Sequence, residues 1–396
     1  MLRIGQFTDT FLPVVDGVGR VAVAYAETLC KMGHQVTVVS PMYDTGYRGG
    51  YPYELVDFQG MTVPGNKQYR TGEANWDSHY RERMRMVQLD IAHAHSPFTA
   101  GSEALRAAVR RKIPLVGTFH SKYYDDFLKA TKSEKMARLG VKVVVDFYRR
   151  CDDVWAVGKN TADVLHSYGY DGDIQVMPNG VNIRQLNPDY IREARRRFEV
   201  AENVPVLLFV GQINWKKNIR RVLEACALLK KQGRSFRLLL AGQGPDAAEI
   251  QHTIESMNLT GCARLIGHQT DVRILDGLYC LASLFVFPSL YDNAPMVVRE
   301  AAAMGTPSVM VRGSSAAEII RDRENGYLCE DDPADLARVL TEALADDEAR
   351  RRVGKAAQDT IPVPWDEVLK TAVSRYEYLI DMNKMGELKK KYIRLV

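Results

Sequence analysis

Strand and helix signals alternate along this chain, and the alternation runs through twice. Apolar runs at residues 2–7, 35–41, 89–95, 114–120, 153–157 and 173–178 read as buried strands. "GRVAVAYAETLCKMG" (19–33) and "FTAGSEALRAAVRRK" (98–112) carry apolar residues at helical spacing. Continuous apolar strands separated by helices imply a parallel sheet covered on both faces, since parallel neighbours need a crossover connection. Residues 44–80, rich in Gly, Tyr and Pro, read as a long loop with short strands. The pattern then restarts with "VPVLLFVG" (204–211), "FRLLLAG" (236–242), "CARLIG" (262–267), "LFVFPS" (284–289) and "SVMV" (308–311). The expected fold class is α/β, with two Rossmann-like parallel-sheet domains, 1–185 and 186–374, facing a central cleft. The polar segment 182–203 after "MPNGVN" is the expected crossing, and a C-terminal helix, 375–396, is expected to cross back to the first domain.

Bulk composition agrees. The 396 residues exceed what one hydrophobic core accommodates. Fifty-three basic residues against 49 acidic ones leave a net charge of +4, which argues against nucleic acid as a partner. Basic residues bunch in "KATKSEKMARLGVKVVVDFYRR" (129–150), which on charge alone reads as a solvated face. The six cysteines form no C-x-x-C pair and read as reduced, buried thiols of a cytoplasmic protein. The N-terminus leads directly into "LRIGQF", and no apolar run approaches the length of a membrane span.

The stretch "YDNAPMVVREAAAMGTP" (291–307) carries the sharpest chemical signal. Ala294 and Pro295 suit the N-cap and first position of a helix, and Gly305 with Thr306-Pro307 stops it. A short helix after a strand points its N-terminus at the sheet edge where open α/β sheets bind ligands. Free amides at Met296 and Val297, with the helix dipole, make an anion site. Helical side chains tilt toward the N-terminus, so Glu300 leans back toward that ligand, while Asp292 approaches from the loop. An anion flanked by two hydroxyl-seeking carboxylates describes a nucleotide sugar. The plainer reading, that Asp292 caps a turn and Glu300 pairs with a surface arginine, stays open on spacing alone.

"SLYDNAPMVVREAAAMGTPSVMV" resembles the acid–seven–acid motif of family-4 retaining glycosyltransferases of the GT-B fold. "FTDTFLPVVDGVGRVAVAYAETLCKMGHQVTVVSP", "DIAHAHSP", "GTFHSKYYDDF", "MPNGVN", "FVGQINWKKNI", "LLLAGQGPD" and "LIGHQTD" follow that family's order, so the resemblance spans nearly the whole chain. Two departures stand out. The first acid is Asp292 where the family has Glu, and Gly211-Gln212-Ile213-Asn214-Trp215-Lys216-Lys217 replaces Gly-Arg-x-x-x-x-Lys. The family's phosphate-binding arginine is therefore a neutral Gln212.

The resemblance implies roles residue by residue. Glu300 holds the ribose hydroxyls. Amides near Met296 and Val297, with Gly17, Gly211, Gln212, Lys216 and Lys217, hold the diphosphate. Asp292, with the amides of Asn293 and Ala294, orients the sugar; Gly267, His268 and Gln269 receive the base. His120 contacts the donor sugar and its phosphate, and the N-terminal domain binds the acceptor. The reaction implied is retaining hexosyl transfer from a nucleoside-diphosphate sugar, most readily a UDP-sugar, with no cofactor and no metal. A fixed cation such as Lys217 would stabilise the leaving diphosphate.

"FTDTFLP…DGV" looks most like the branch that glucosylates diacylglycerol lipids. That implies a lipid-type acceptor and contact of 129–150 with an anionic membrane. A sugar-nucleotide epimerase of the same fold, or a non-catalytic nucleotide-sugar binder, are the rivals. Three further patterns carry less. "GVGRVA" (17–22) lies ten residues beyond the strand, too far for a dinucleotide fingerprint. Asp171-Gly172-Asp173 reads as a turn rather than a metal site, and His93 and His95 as strand-packing residues.

Overall fold

The computed structural model describes residues 1–13, 16–42, 49–63 and 66–388. The chain divides into two compact units, Met1–Asn179 joined by the stretch from Trp365, and Gly180–Pro364. The first contains β1 (Arg3–Phe7), α1 (Gly17–Lys31), β2 (Gln35–Pro41), β3 (Glu54–Phe58) and a hairpin of β4 (Met61–Val63) and β5 (Asn66–Thr71). It continues with α2 (Ser78–Met86), β6 (Ile91–Ala94), α3 (Thr99–Arg111), β7 (Leu115–Phe119), α4 (Tyr123–Thr131), α5 (Glu134–Tyr148), β8 (Asp153–Ala156), α6 (Lys159–Ser167) and β9 (Gln175–Val176).

Seven of these strands form one sheet in the order β3-β2-β1-β6-β7-β8-β9, with every pairing parallel. Strand order reverses between β1 and β6. The loops after β1, β6 and β7 therefore emerge at one edge beside that switch point.

The second unit runs α7 (Pro188–Arg197), β10 (Val206–Val210), α8 (Ile219–Lys231), β11 (Arg237–Ala241), α9 (Ala247–Ser256), β12 (Ala263–Gly267) and α10 (Val272–Leu281). Then come β13 (Leu284–Val286), α11 (Met296–Ala303), β14 (Ser308–Val311), β15 (Tyr327–Cys329), α12 (Pro333–Ala345) and α13 (Asp347–Thr360). Its sheet, β12-β11-β10-β13-β14-β15, is also parallel and switches between β10 and β13. Phe209, Phe287 and Phe285 stack in its core at 5.5 and 5.8 Å, just beneath that switch.

Several boundaries differ from the sequence expectation. The units divide at Asn179/Gly180 and Pro364/Trp365, not at 185/186 and 374/375. Val181 donates to the Val363 carbonyl at 2.8 Å, so the two connecting segments run side by side there. The last helix, α14 (Trp365–Lys384), starts ten residues earlier than expected. It belongs to the first unit, where Tyr376 stacks on Trp155 at 5.4 Å and Arg375 pairs with Asp153 at 2.8 Å. The end of the expected helix, 389–396, lies outside the described residues. Within 44–80, Glu54–Phe58 is a full strand of the main sheet, because its apolar side packs below α2; residues 44–48, 64 and 65 lie outside the described residues. Of the cysteines, Cys151, Cys226 and Cys329 are buried, while Cys30, Cys262 and Cys280 are only half-buried.

One close backbone approach shapes the loop that leaves β10. The Gly211 amide donates to the Ala241 carbonyl at 3.0 Å, which brings the loops after β10 and β11 together. Gly242 follows with φ of +147°, and a Cβ placed on it would lie 1.8 Å from the Gly211 carbonyl oxygen. Only glycine fits there. Gly242→Ala is expected to lower the thermal midpoint by roughly 5 °C or more, the scale of about 2 kcal/mol in a domain of this size. Gly17→Ala, whose Cβ would meet nothing within 4 Å, should leave it within about 2 °C. Thermal denaturation of both variants checks the contrast.

Candidate functional site

In the second unit the candidate residues gather at the C-terminal ends of β10, β12 and β13. After β10, a 3-10 turn at Trp215–Lys217 leads to Asn218, which adopts a left-handed conformation with φ of 61°. Asn218 Nδ2 donates to the Pro288 carbonyl at 3.1 Å, tying this loop to the one after β13. That tie brings Lys217 Nζ to 2.6 Å from Asp292 Oδ1. The two side chains keep 13% and 20% of their exposure, so the pair is shielded yet reachable. Ser289 Oγ donates to Asp292 Oδ2 at 2.5 Å and accepts from the Tyr291 and Asp292 amides, which pins the carboxylate. The Tyr291 ring lies 4.6 Å from Lys216 Nζ and 5.4 Å from Lys217 Nζ. A ring face so close to two ammonium groups offsets part of their mutual repulsion.

The helix α11 starts at Met296, one residue later than expected. Its N-cap is Pro295, whose ψ of 124° is extended, rather than Ala294. Proline has no side-chain acceptor, so no cap bond covers the amides of Met296 and Val297. The helix ends as the sequence implies. Gly305, at φ of 75°, lets its own amide reach the Ala302 carbonyl at 2.9 Å while that of Thr306 reaches Ala301 at 3.0 Å. Glu300 is not on the surface. It is buried and accepts from the Tyr279 hydroxyl at 2.9 Å.

The remaining members sit near by in the fold's order. Gln212 is exposed and accepts from Asn214 Nδ2 at 2.6 Å. Gly267 ends β12 and its carbonyl accepts from Gly242 at 2.9 Å. His268 is exposed, whereas Gln269 folds its amide back onto the Ile266 carbonyl at 2.6 Å. Asn293 is buried and Ala294 half-buried.

Gly17 and His120 belong to the first unit. Gly17 is the first residue of α1 rather than part of the preceding loop, exposed, with Asp16 capping the helix through the Gly19 amide at 2.7 Å. His120 follows β7 and is buried, its Nε2 3.2 Å from Nδ1 of His95. Burial pushes the His120 pKa down to about 3, so the ring is neutral at physiological pH. His95 is thus more than a packing residue. Asp171 and Asp173 are exposed, and Asp171 lies 3.5 Å from Arg149.

Ser289, Tyr291, Asn218 and Tyr279 were not foreseen as site residues. Serine three positions before an acid is the one local signal among them, being the pattern of a side-chain-bonded turn.

The profile of Glycosyltransferase Family 4 matches residues 15–185, and that of Glycosyl transferases group 1 matches 191–360. Between them they leave out only 1–14, 186–190 and 361–396. The chain belongs to glycosyltransferase family 4. It is therefore a glycosyltransferase, and the second-unit residues just described are its candidate donor machinery. An alpha-monoglucosyldiacylglycerol synthase of Acholeplasma laidlawii is 23% identical over 96% of this chain and 98% of its own length. A GDP-mannose-dependent alpha-mannosyltransferase of Corynebacterium glutamicum is 23% identical over 97% of this chain and 90% of its own. Among solved structures, an Anabaena protein in complex with UDP and glucose superposes with a TM-score of 0.77 at 16% identity, covering 95% of this chain and all of that one. That likeness supports the two-domain fold.

Lys217 spends one of its three N–H donors on Asp292, which leaves two for a phosphate. Gln212 brings no charge. Lys217→Ala is therefore expected to lower kcat on the order of 10²-fold, the scale for removing one preorganised group that stabilises transition-state charge. Gln212→Ala should cost less than about tenfold, the scale of one neutral hydrogen bond. Steady-state kinetics with varied donor test this, and equal losses would refute the charge argument.

Proposed function

We propose that this enzyme transfers a hexose, with retention of anomeric configuration, from a UDP-sugar to a membrane lipid or lipid-linked acceptor, at the cytoplasmic face and without a metal ion. The observation that carries the donor half is the Lys217–Asp292 pair, 2.6 Å long, on the loops that flank the strand-order switch. Lys217, Lys216 and the uncapped amides of α11 supply positive charge for a diphosphate without a divalent cation. Glu300 is held to take ribose hydroxyls, and Asp292 to take hydroxyls of the hexose. Both Asp292 oxygens are already engaged, by Lys217 and Ser289. A carboxylate so held is a poor nucleophile, which favours transfer on one face of the sugar with the departing phosphate accepting the proton of the attacking hydroxyl.

Incubation with UDP-glucose, UDP-galactose or GDP-mannose and a diacylglycerol-containing lipid extract tests the reading. The expected product is a hexosyl lipid formed with a UDP-sugar, α-linked by NMR as the donor is, and made equally well in excess EDTA. Preference for GDP-mannose would overturn the UDP assignment. A tenfold loss in EDTA, restored by Mn²⁺ or Mg²⁺, would overturn metal independence. An epimerised donor with no glycosylated lipid would favour the epimerase, and no turnover with any donor would favour the non-catalytic binder.

The acceptor half rests on α5. No helix among the described residues is long and apolar enough to cross a membrane. Helix α5 turns Ala137, Val141, Val144 and Val145 inward, yet Met136, Leu139 and Val143 stay 50%, 53% and 56% exposed. Their spacing of three and four residues makes one stripe, and Lys135, Arg138 and Lys142 line its flank. An apolar stripe beside a cationic one suits the surface of an anionic bilayer, each cation contributing about 1 kcal/mol near it. Changing Met136, Leu139 and Val143 together to Gln is expected to weaken co-sedimentation with phosphatidylglycerol vesicles at least tenfold. Raising the salt should weaken the unaltered protein as well. Salt-independent binding, or none, would argue for a soluble acceptor.

A further inference from the structure

We propose that Asp331, in the loop after β15, is a positioning residue for Lys217. It holds the Asn218 side chain, and Asn218 holds the turn from which the Lys217 ammonium reaches Asp292. The strands β10, β13 and β15 belong to one parallel sheet, so the loops after them leave from the same edge. All three loops lie within the second unit.

Asn218 Nδ2 carries two protons. One goes to the Pro288 carbonyl at 3.1 Å and the other to Asp331 Oδ1 at 2.9 Å. A carbonyl and a carboxylate can only accept, so the nitrogen end of the amide must face them. Pro288 lies on the loop that carries Ser289 and Asp292. A single amide group therefore joins the loop of Lys217 to the loop of Asp292 and to the turn that precedes α12.

That turn is firmly held. The Glu330 amide donates to Asp335 Oδ2 at 2.8 Å, and Asp332 caps α12 through the Ala334 and Asp335 amides, both at 2.9 Å. Helix α12 lies against α8. Arg221, in the first turn of α8, donates from Nε to the same Asp331 Oδ1 at 3.3 Å and from Nη1 to Glu224 at 2.8 Å. Such surface ion pairs contribute little by themselves. The bond from Asn218 to Asp331 is the one that bears on the site, and its charged acceptor makes it stronger than a bond between neutral groups.

The need for a clasp lies in the turn before it. Lys217 ends a three-residue 3-10 turn, closed by its own amide on the Asn214 carbonyl at 3.2 Å and by the Asn218 amide on Trp215 at 3.0 Å. A lone turn held by two hydrogen bonds has little stability of its own. Asn218 leaves it in the left-handed region, which asparagine tolerates and glycine adopts freely. A shift of about 1 Å in a preorganised group can cost on the order of 10²-fold in rate. This consequence rests on the reading that Lys217 serves the donor diphosphate.

Two readouts on the full chain separate the clasp from that reading. One is kcat with the preferred donor. The other needs no turnover: the rate at which acetic anhydride acetylates Lys217, followed by peptide mass spectrometry, with the surface residue Lys355 as internal reference. Asp331→Ala is expected to speed acetylation of Lys217 about threefold or more, the scale of one lost hydrogen bond. Its kcat should fall about tenfold, with no further fall when Lys217 is already Ala. Asp331→Asn keeps an oxygen for the Asn218 amide and should recover most of both effects. Asn218→Gly keeps the left-handed backbone and deletes the amide, so it should reproduce both changes, and it replaces Asp331→Ala if that variant does not fold. A folded variant in which Lys217 reactivity stays unchanged overturns the proposal, as does an Asp331→Ala loss that is undiminished in the Lys217→Ala background. Reactivity that rises while kcat does not change leaves the clasp standing and overturns the assignment of Lys217 to the donor.

Discussion

Parallel pairing is the constraint from which the rest follows. When every strand of a sheet runs the same way, every strand-to-helix loop leaves from one edge, and where strand order reverses two such loops diverge and leave room between them. In the second unit those loops follow β10 and β13. Lys217 comes from one and Asp292 from the other, 75 residues apart in sequence and 2.6 Å apart in space. In the first unit the same rule brings together the ends of β1, β6 and β7, which carry Gln6, His95 and His120.

Charge in the second unit is concentrated because little of it is neutralised locally. Pro295 opens α11 without a side-chain cap. Gln212 supplies no cation, and Lys216 and Lys217 both lie close to the Tyr291 ring. Asp292 is the balancing charge. A partly buried ion pair gains little net stability, because desolvation offsets most of the attraction. Its value here lies in geometry. It holds an ammonium group in place, with two donors to spare, before any substrate arrives.

The first unit uses the opposite strategy. His93, His95 and His120 are buried, and burial drives each imidazole well toward its neutral form. Tyr25 closes over His93 and His95 edge-on, at 5.5 and 5.1 Å. A low-dielectric surrounding strengthens each hydrogen bond and makes each unpaired group costly, so the chain of partners has few arrangements open to it. α14 supplies one of those partners, the Tyr376 hydroxyl, 2.6 Å from His93 Nδ1. The last helix is thus both a cover for the core and a member of its polar network.

Sequence alone determined the architecture, the restart of the pattern near residue 204, the short helix that follows Asp292 and its stop at Gly305. These are local matters of periodicity, of proline's missing donor and of glycine's tolerance for positive φ, so adjacent residues suffice to read them. The motifs likewise placed Lys217, Asp292 and Glu300 in one family pattern. Tertiary structure alone decided which partners those residues have. Nothing local foretells that Asn218 would tie two loops together, that Tyr279 would hold Glu300, or that Tyr291 would lie under two lysines. The same holds for the partners of α14, Trp155 for Tyr376 and Asp153 for Arg375. His93 and His95 show the limit most plainly. Their alternation along β6 correctly read as burial, but a buried histidine's function lies in what its two nitrogens meet, and those partners come from positions 6, 118, 120 and 376, which only the folded chain brings together.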